Sequence, residues 1–158
     1  MNIKLITVGK IKESYHTEAI DEYLKRLGTY CKLSIIEVAP SKILSELPSD
    51  IDKYKKEEGE KILSFIKKES FVITLEIKAK QLSSEEFAEK IDNLSKDGLS
   101  ELIFVIGGAN GLDLSVLERS DFSLSFSKMT FTHQMIRIIL LEQLYRAFKI
   151  LKNEPYHR

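Results

Sequence analysis

The stretch ELIFVIGGANGLD, residues 101–113, decides the fold class. Leu102 to Ile106 is apolar at every position, so neither face of this segment can be turned to water. A short run of that kind, closed by Gly107-Gly108-Ala109-Asn110-Gly111, reads as a strand buried on both faces. Strands buried on both faces belong to parallel sheets covered on each side by helices.

The rest of the chain repeats the pattern outward from this point. Asn2 to Val8, Leu33 to Val38, Phe71 to Ile77 and Phe122 to Phe126 read as further strands. Between them lie helical patterns. The first is capped by Ser14, carries Ile20, Tyr23, Leu24 and Leu27 at helical spacing, and meets Gly28 where a left-handed stop fits. A polar connection from Pro40 to Pro48 leads to the second, about Asp50 to Lys67, with Ile51, Tyr54, Ile62, Leu63 and Ile66 as its stripe. Ser83 and Glu86 form a capping box for a third helix ending near Lys96, and Leu112 to Glu118 fits a short one. The alternation predicts an α/β fold, a mostly parallel sheet flanked by helices, in a single domain over residues 1–158.

The last helix, His133 to Lys152, holds more apolar residues than one stripe can use: Met135, Ile136, Ile139, Leu140, Leu141, Leu144, Tyr145, Phe148, Ile150 and Leu151. Either it lies wholly inside the chain, or a sheet covers one side and a second subunit the other.

Composition removes several classes. With 43% hydrophobic and 30% charged residues the chain is too apolar for disorder. Its net charge of zero argues against a strongly basic nucleic-acid binder. Residues 126–158 are the exception, with Lys128, Arg137, Arg146, Lys149, Lys152 and Arg158 against Glu142 and Glu154. That segment fits a solvated helix face or a phosphate-facing patch. No signal peptide and no membrane-length apolar run is evident, and Cys31, the single cysteine, reads as a buried thiol with no disulfide or zinc partner. These features point to the cytoplasm and to a protein without a metal.

Three segments could carry chemistry. GGANG after a buried strand is either a plain tight turn or a place where backbone approaches a ligand; it matches neither a dinucleotide fingerprint nor a P-loop. Ser125 to Phe131, hydroxyls and aromatics around Lys128, is either a small-molecule loop or a helix entry capped by Thr130 or Thr132. His133 and Arg137 lie four apart on one helix face, and the chain closes on Tyr156-His157-Arg158, a tail that offers stacking, proton transfer and phosphate contact to a nucleic-acid base, or is merely polar.

Together VGK, EYLKRL, VITLEI, FVIGGANGL, LSFSKMTFTHQMIRIILLEQLYRAFKI and the closing PYHR resemble one family along essentially the whole chain. This is the RlmH family of the SPOUT superfamily, the large-subunit ribosomal RNA pseudouridine N3-methyltransferases. The resemblance implies an α/β fold whose C-terminal part is tied in a trefoil knot, a homodimer, and S-adenosylmethionine as methyl donor. It implies ribosomal RNA in the large subunit or assembled ribosome as the partner, and no membrane. The cofactor contacts it implies are Leu75, Gly107, Phe126, Ser127, Lys128, Met129, Thr130 and Phe131. Leu75 would pack on adenine, Gly107 would clear space, and the loop amides would meet adenine nitrogens. The chemistry of such a transfer, in which the N3 proton must leave, makes His133 or His157 the candidate base and sets the tail against the RNA, with Tyr156 stacking or hydrogen bonding and Arg158 steadying the anion or a phosphate; Arg137 beside His133 completes the catalytic candidates. Thr132 and Ala79 depart from the proline and glycine usual in the family, and neither is a reacting group.

Overall fold

The computed structural model describes residues 1–42 and 46–157; part of the Pro40 to Pro48 connection and the terminal Arg158 lie outside the described residues. In chain order the elements are β1 (Asn2–Val8), α1 (Ser14–Leu27), β2 (Lys32–Val38), α2 (Pro48–Leu63), β3 (Phe71–Gln81), α3 (Ser84–Lys96), β4 (Glu101–Ile106), α4 (Leu114–Arg119), β5 (Phe122–Ser125) and α5 (His133–Leu151). The strands form one parallel sheet in the order β2-β1-β4-β3-β5. β4 is the middle strand, and Leu102 to Ile106 are at most 4% exposed, as its unbroken apolar run requires. β2 lies at an edge, and its Lys32, Ser34 and Glu37 are exposed accordingly.

Successive residues face opposite sides of the sheet, so one strand feeds two cores. Leu5, Ile73 and Phe104 pack with Ile20, Phe87, Ile91, Leu140 and Leu144 from α1, α3 and α5. Ile6, Val72, Ile103 and Val105 pack with Ile62 of α2 and Val116 of α4. Each such side chain contributes about 1.5–3 kcal/mol on burial, and among the described residues the interior strands bury only Thr7 and Thr74 as polar side chains.

Local details differ from expectation where backbone geometry, invisible in the sequence, decides. Ser14 is the first residue of α1 and not its cap; Glu13 occupies that position and makes no side-chain capping bond. Gly28 is right-handed, with φ −57°, because the chain continues turning and the N–H groups of Tyr30 and Cys31 both donate to Leu27. α2 starts at Pro48 and ends at Leu63, short of Lys67. The Ser83/Glu86 capping box is present, and Thr132 caps α5 by accepting from the Met135 amide at 3.2 Å. A threonine at 132 thus supplies a hydrogen bond that proline could not. Cys31 is buried, and burial pushes its thiol pKa up to about 11.

α5 lies on the sheet between α1 and α3, which accounts for its apolar breadth within one chain. Three of the six cations of residues 126–158 are held in ion pairs, Arg137 with Glu37, Arg146 with Glu142 and Lys149 with Glu154. The phosphate-facing patch is therefore not formed by these side chains. Among the described residues no helix is long and apolar enough to cross a membrane.

Candidate active site

The carboxyl ends of β3, β4 and β5 and the start of α5 surround a cavity of about 650 Å³, where open parallel sheets place their ligands. Leu75, Gly107, Phe126, Ser127, Met129, Thr130, Phe131 and His133 all line it. Lys128 does not; its side chain is exposed.

The glycine turn is built by close approach. A Cβ on Gly107 would lie 2.9 Å from the carbonyl carbon of Gly111 and 3.1 Å from its oxygen. Gly111 itself has φ +79°, a left-handed conformation that glycine adopts without strain. The missing side chain of Gly107 thus makes room for the turn itself, which corrects the expectation that it clears space for a ligand, while its backbone still faces the cavity.

The loop after β5 is held from within. The Ser125 hydroxyl lies 2.9 Å from the Ile77 carbonyl and 3.0 Å from that of Ser127, and the Ser127 hydroxyl accepts from the Met129 amide at 3.0 Å. Among the described residues the N–H groups of Lys128, Thr130 and Phe131 donate to no protein acceptor, which leaves them for a ligand. Met129 is 73% exposed and Phe131 44%.

Two carboxylates, Glu13 and Glu76, line the cavity, and among the described residues no Lys or Arg does. Burial holds the His133 pKa below its ordinary value, reinforced by Arg137 and Lys12, so the imidazole is neutral near pH 7 and can accept a proton. His16 is buried against Gln134, whose side-chain oxygen also accepts from the Lys12 amide, tying the start of α1 to the start of α5.

Arg137 is not part of this cavity. Its side chain is wholly buried, donating to the carbonyls of Val8 at 3.1 Å and Gly9 at 2.7 Å and to Glu37 at 3.0 Å. The i, i+4 spacing put it on the His133 side of the helix, yet the end of β1 takes up its guanidinium.

The tail is not loose either. Tyr156 donates to Glu142 at 3.2 Å, and Arg146 stacks 4.7 Å from the centre of its ring. The His157 Nε2 lies 2.7 Å from Glu85 of α3. Neither residue lines the cavity; Glu142 is roughly 13 Å along α5 from His133 at 1.5 Å per residue. Arg158 lies outside the described residues. Sequence reasoning missed Glu76, and also Tyr15 and His16, an aromatic pair at the start of α1 of which Tyr15 is exposed and His16 buried; two adjacent rings soon after the turn that closes β1 were the available signal.

A parallel α/β sheet with an apolar, carboxylate-bearing cavity beyond its strand ends defines an α/β domain built to hold a small molecule. The chain belongs to the SPOUT methyltransferase family, whose sequence model, described as "Predicted SPOUT methyltransferase", matches residues 1–157. A protein of Methanococcus maripaludis named "Putative ribosomal RNA large subunit methyltransferase H" is 56% identical over 160 residues, and a "Ribosomal RNA large subunit methyltransferase H" of Bifidobacterium adolescentis is 53% identical over 159; both alignments cover 100% of each chain. In fold the chain is similar to the solved structure of a probable methylase family protein from Haemophilus influenzae, with a TM-score of 0.56 at 15% identity, covering 99% of this chain and 70% of that one.

Proposed function

We propose that this methyltransferase transfers the methyl group of S-adenosylmethionine to N3 of a pseudouridine in large-subunit ribosomal RNA, in the cytoplasm and on the assembled subunit or ribosome. The observation that carries the reading is the end-to-end identity of more than half with relatives named for large-subunit ribosomal RNA methylation. The cavity suits the donor: its volume is that of small-molecule sites, its walls include Leu75 and Phe126, and unpaired amides at Lys128, Thr130 and Phe131 suit adenine nitrogens. S-adenosylmethionine supplies an electrophilic methyl group on a sulfonium.

The chain's own task is alignment, exclusion of water and removal of the N3 proton. Neutral His133 at the cavity wall is one base within reach. His157 is the other, with Tyr156 stacking on the base and Arg158 steadying charge. Because Tyr156 and His157 stand away from the cavity of their own chain, the tail acts on the cavity of a second copy. Tyr15, Met129 and Phe131, exposed apolar residues at that cavity, are the surface the second copy covers in a homodimer. The trefoil knot, with the loop after β5 inside it, belongs to the same proposal.

The test uses ribosomes from a strain lacking the gene, incubated with the protein and S-adenosylmethionine, and mass mapping of the RNA. Methylation of one large-subunit pseudouridine is expected with the full chain, and none after truncation past Asn153, with cofactor affinity unchanged. Modification of transfer RNA instead, or full activity of the truncated chain, overturns the substrate or the tail assignment respectively.

A further inference from the structure

The ladder between β3 and β5 is interrupted beside the cavity. Leu75 and Lys80 both stand opposite Leu124, so residues 76–79 form an excursion from the strand. Bulges of this kind re-aim side chains and gather next to functional sites. Here the Ser125 hydroxyl, 2.9 Å from the Ile77 carbonyl, holds the excursion against the cavity loop. In a regular strand Glu76 would face away from the side that Leu75 faces. With the excursion, both line the same cavity.

Glu76 is half-buried, and among the described residues its carboxylate has no hydrogen bond and no ion pair. Burial raises its pKa, while Lys55, which does not line the cavity, pulls the other way. A partly desolvated carboxylate without a partner is unfavourable in the empty protein and becomes favourable when a cation enters. Among the described residues no Lys or Arg lines the cavity to compete for it, and neutral His133 does not either.

We infer that Glu76 is the residue that distinguishes the positively charged sulfonium donor from its neutral thioether product. The inference rests on the proposed binding of S-adenosylmethionine in this cavity and adds a selectivity to it. The donor and S-adenosylhomocysteine share the adenine, the ribose and the amino-acid group and differ by one methyl and one positive charge. A carboxylate that senses that charge favours loading of the donor and release of the spent product.

Calorimetry on the full-length protein with each compound tests this. Glu76→Gln keeps shape and removes charge. It should weaken S-adenosylmethionine binding about tenfold, the scale of one partly screened charge pair, and change S-adenosylhomocysteine binding less than about twofold. Circular dichroism checks that the variant is folded. An independent measurement needs no variant: raising salt should weaken binding of the donor to the wild-type protein and leave the product's affinity nearly constant. Equal losses for both compounds would mean that Glu76 holds the ribose hydroxyls or the ammonium group they share, and would overturn the inference, as would no loss for either. A wild-type protein that binds neither compound would remove the cofactor reading itself and the inference with it; a wild-type protein that binds both with equal salt dependence overturns the inference alone.

Discussion

Arg137→Met separates structure from chemistry at a residue that its spacing from His133 marks as catalytic. The arginine is 0% exposed and donates to the carbonyls of Val8 and Gly9 at the end of β1 and to Glu37 of β2. Methionine fills much of the same volume and donates nothing. Two buried carbonyls then lose a charged donor, at roughly 1–3 kcal/mol each. Glu37 loses a partner too, but its side chain is 32% exposed and water replaces the bond at small cost. Against this, the variant no longer buries a guanidinium whose Nε has no partner among the described residues, which returns on the order of 1–2 kcal/mol. The carbonyl losses win, for a net destabilisation of about 3 kcal/mol. At roughly 2–4 °C per kcal/mol for a chain of this size, the melting temperature should fall by about 10 °C. Urea denaturation followed by circular dichroism measures the loss of stability, and thermal unfolding the fall in melting temperature. A variant that keeps its stability within about 0.5 kcal/mol but loses methyl transfer would refute the structural role and return Arg137 to the reaction.

Gly107→Ala should lower stability by about 1–3 kcal/mol and weaken cofactor binding together, because its Cβ meets Gly111 backbone that cannot swing aside; unaltered stability in denaturant would show that the turn relaxes. The folded chain holds the His133 pKa low, so below about pH 6.5 the unfolded chain binds more protons at this site and stability declines as pH falls. His133→Gln should flatten that slope between about pH 5 and 7, and an unchanged slope would mean the imidazole is not desolvated as described.

Most strands and helices were legible because burial on two faces leaves an unbroken apolar run, as in Leu102 to Ile106, and burial on one leaves a helical stripe. Capping at Ser83 and Thr132 was legible because it needs only a side chain and the next turn of backbone. Gly28 misled because a glycine permits a left-handed stop without imposing one. Ala79 lies in the excursion of β3 where the family's glycine is usual, and Asn153 is the one non-glycine residue with positive φ among those described, so the backbone there makes no demand for glycine. The loop after β5 stood out by its hydroxyls and aromatics, and the resemblance to a family chose a ligand loop over a mere helix entry, whereas Glu76 was missed because strict alternation sends it to the wrong face.

The amino-acid sequence by itself determined the α/β class, the approximate extent of each element and the turn after β4, since all of these follow from local apolar periodicity and backbone preference. Only the tertiary structure decided the strand order, the burial of Arg137 under β1, and the fastening of Tyr156 to Glu142 and of His157 to Glu85. The physical reason is the same for each. A hydrogen bond between residues 14, 72 or 128 positions apart depends on which elements lie side by side, and nothing in the residues flanking either partner records that neighbour.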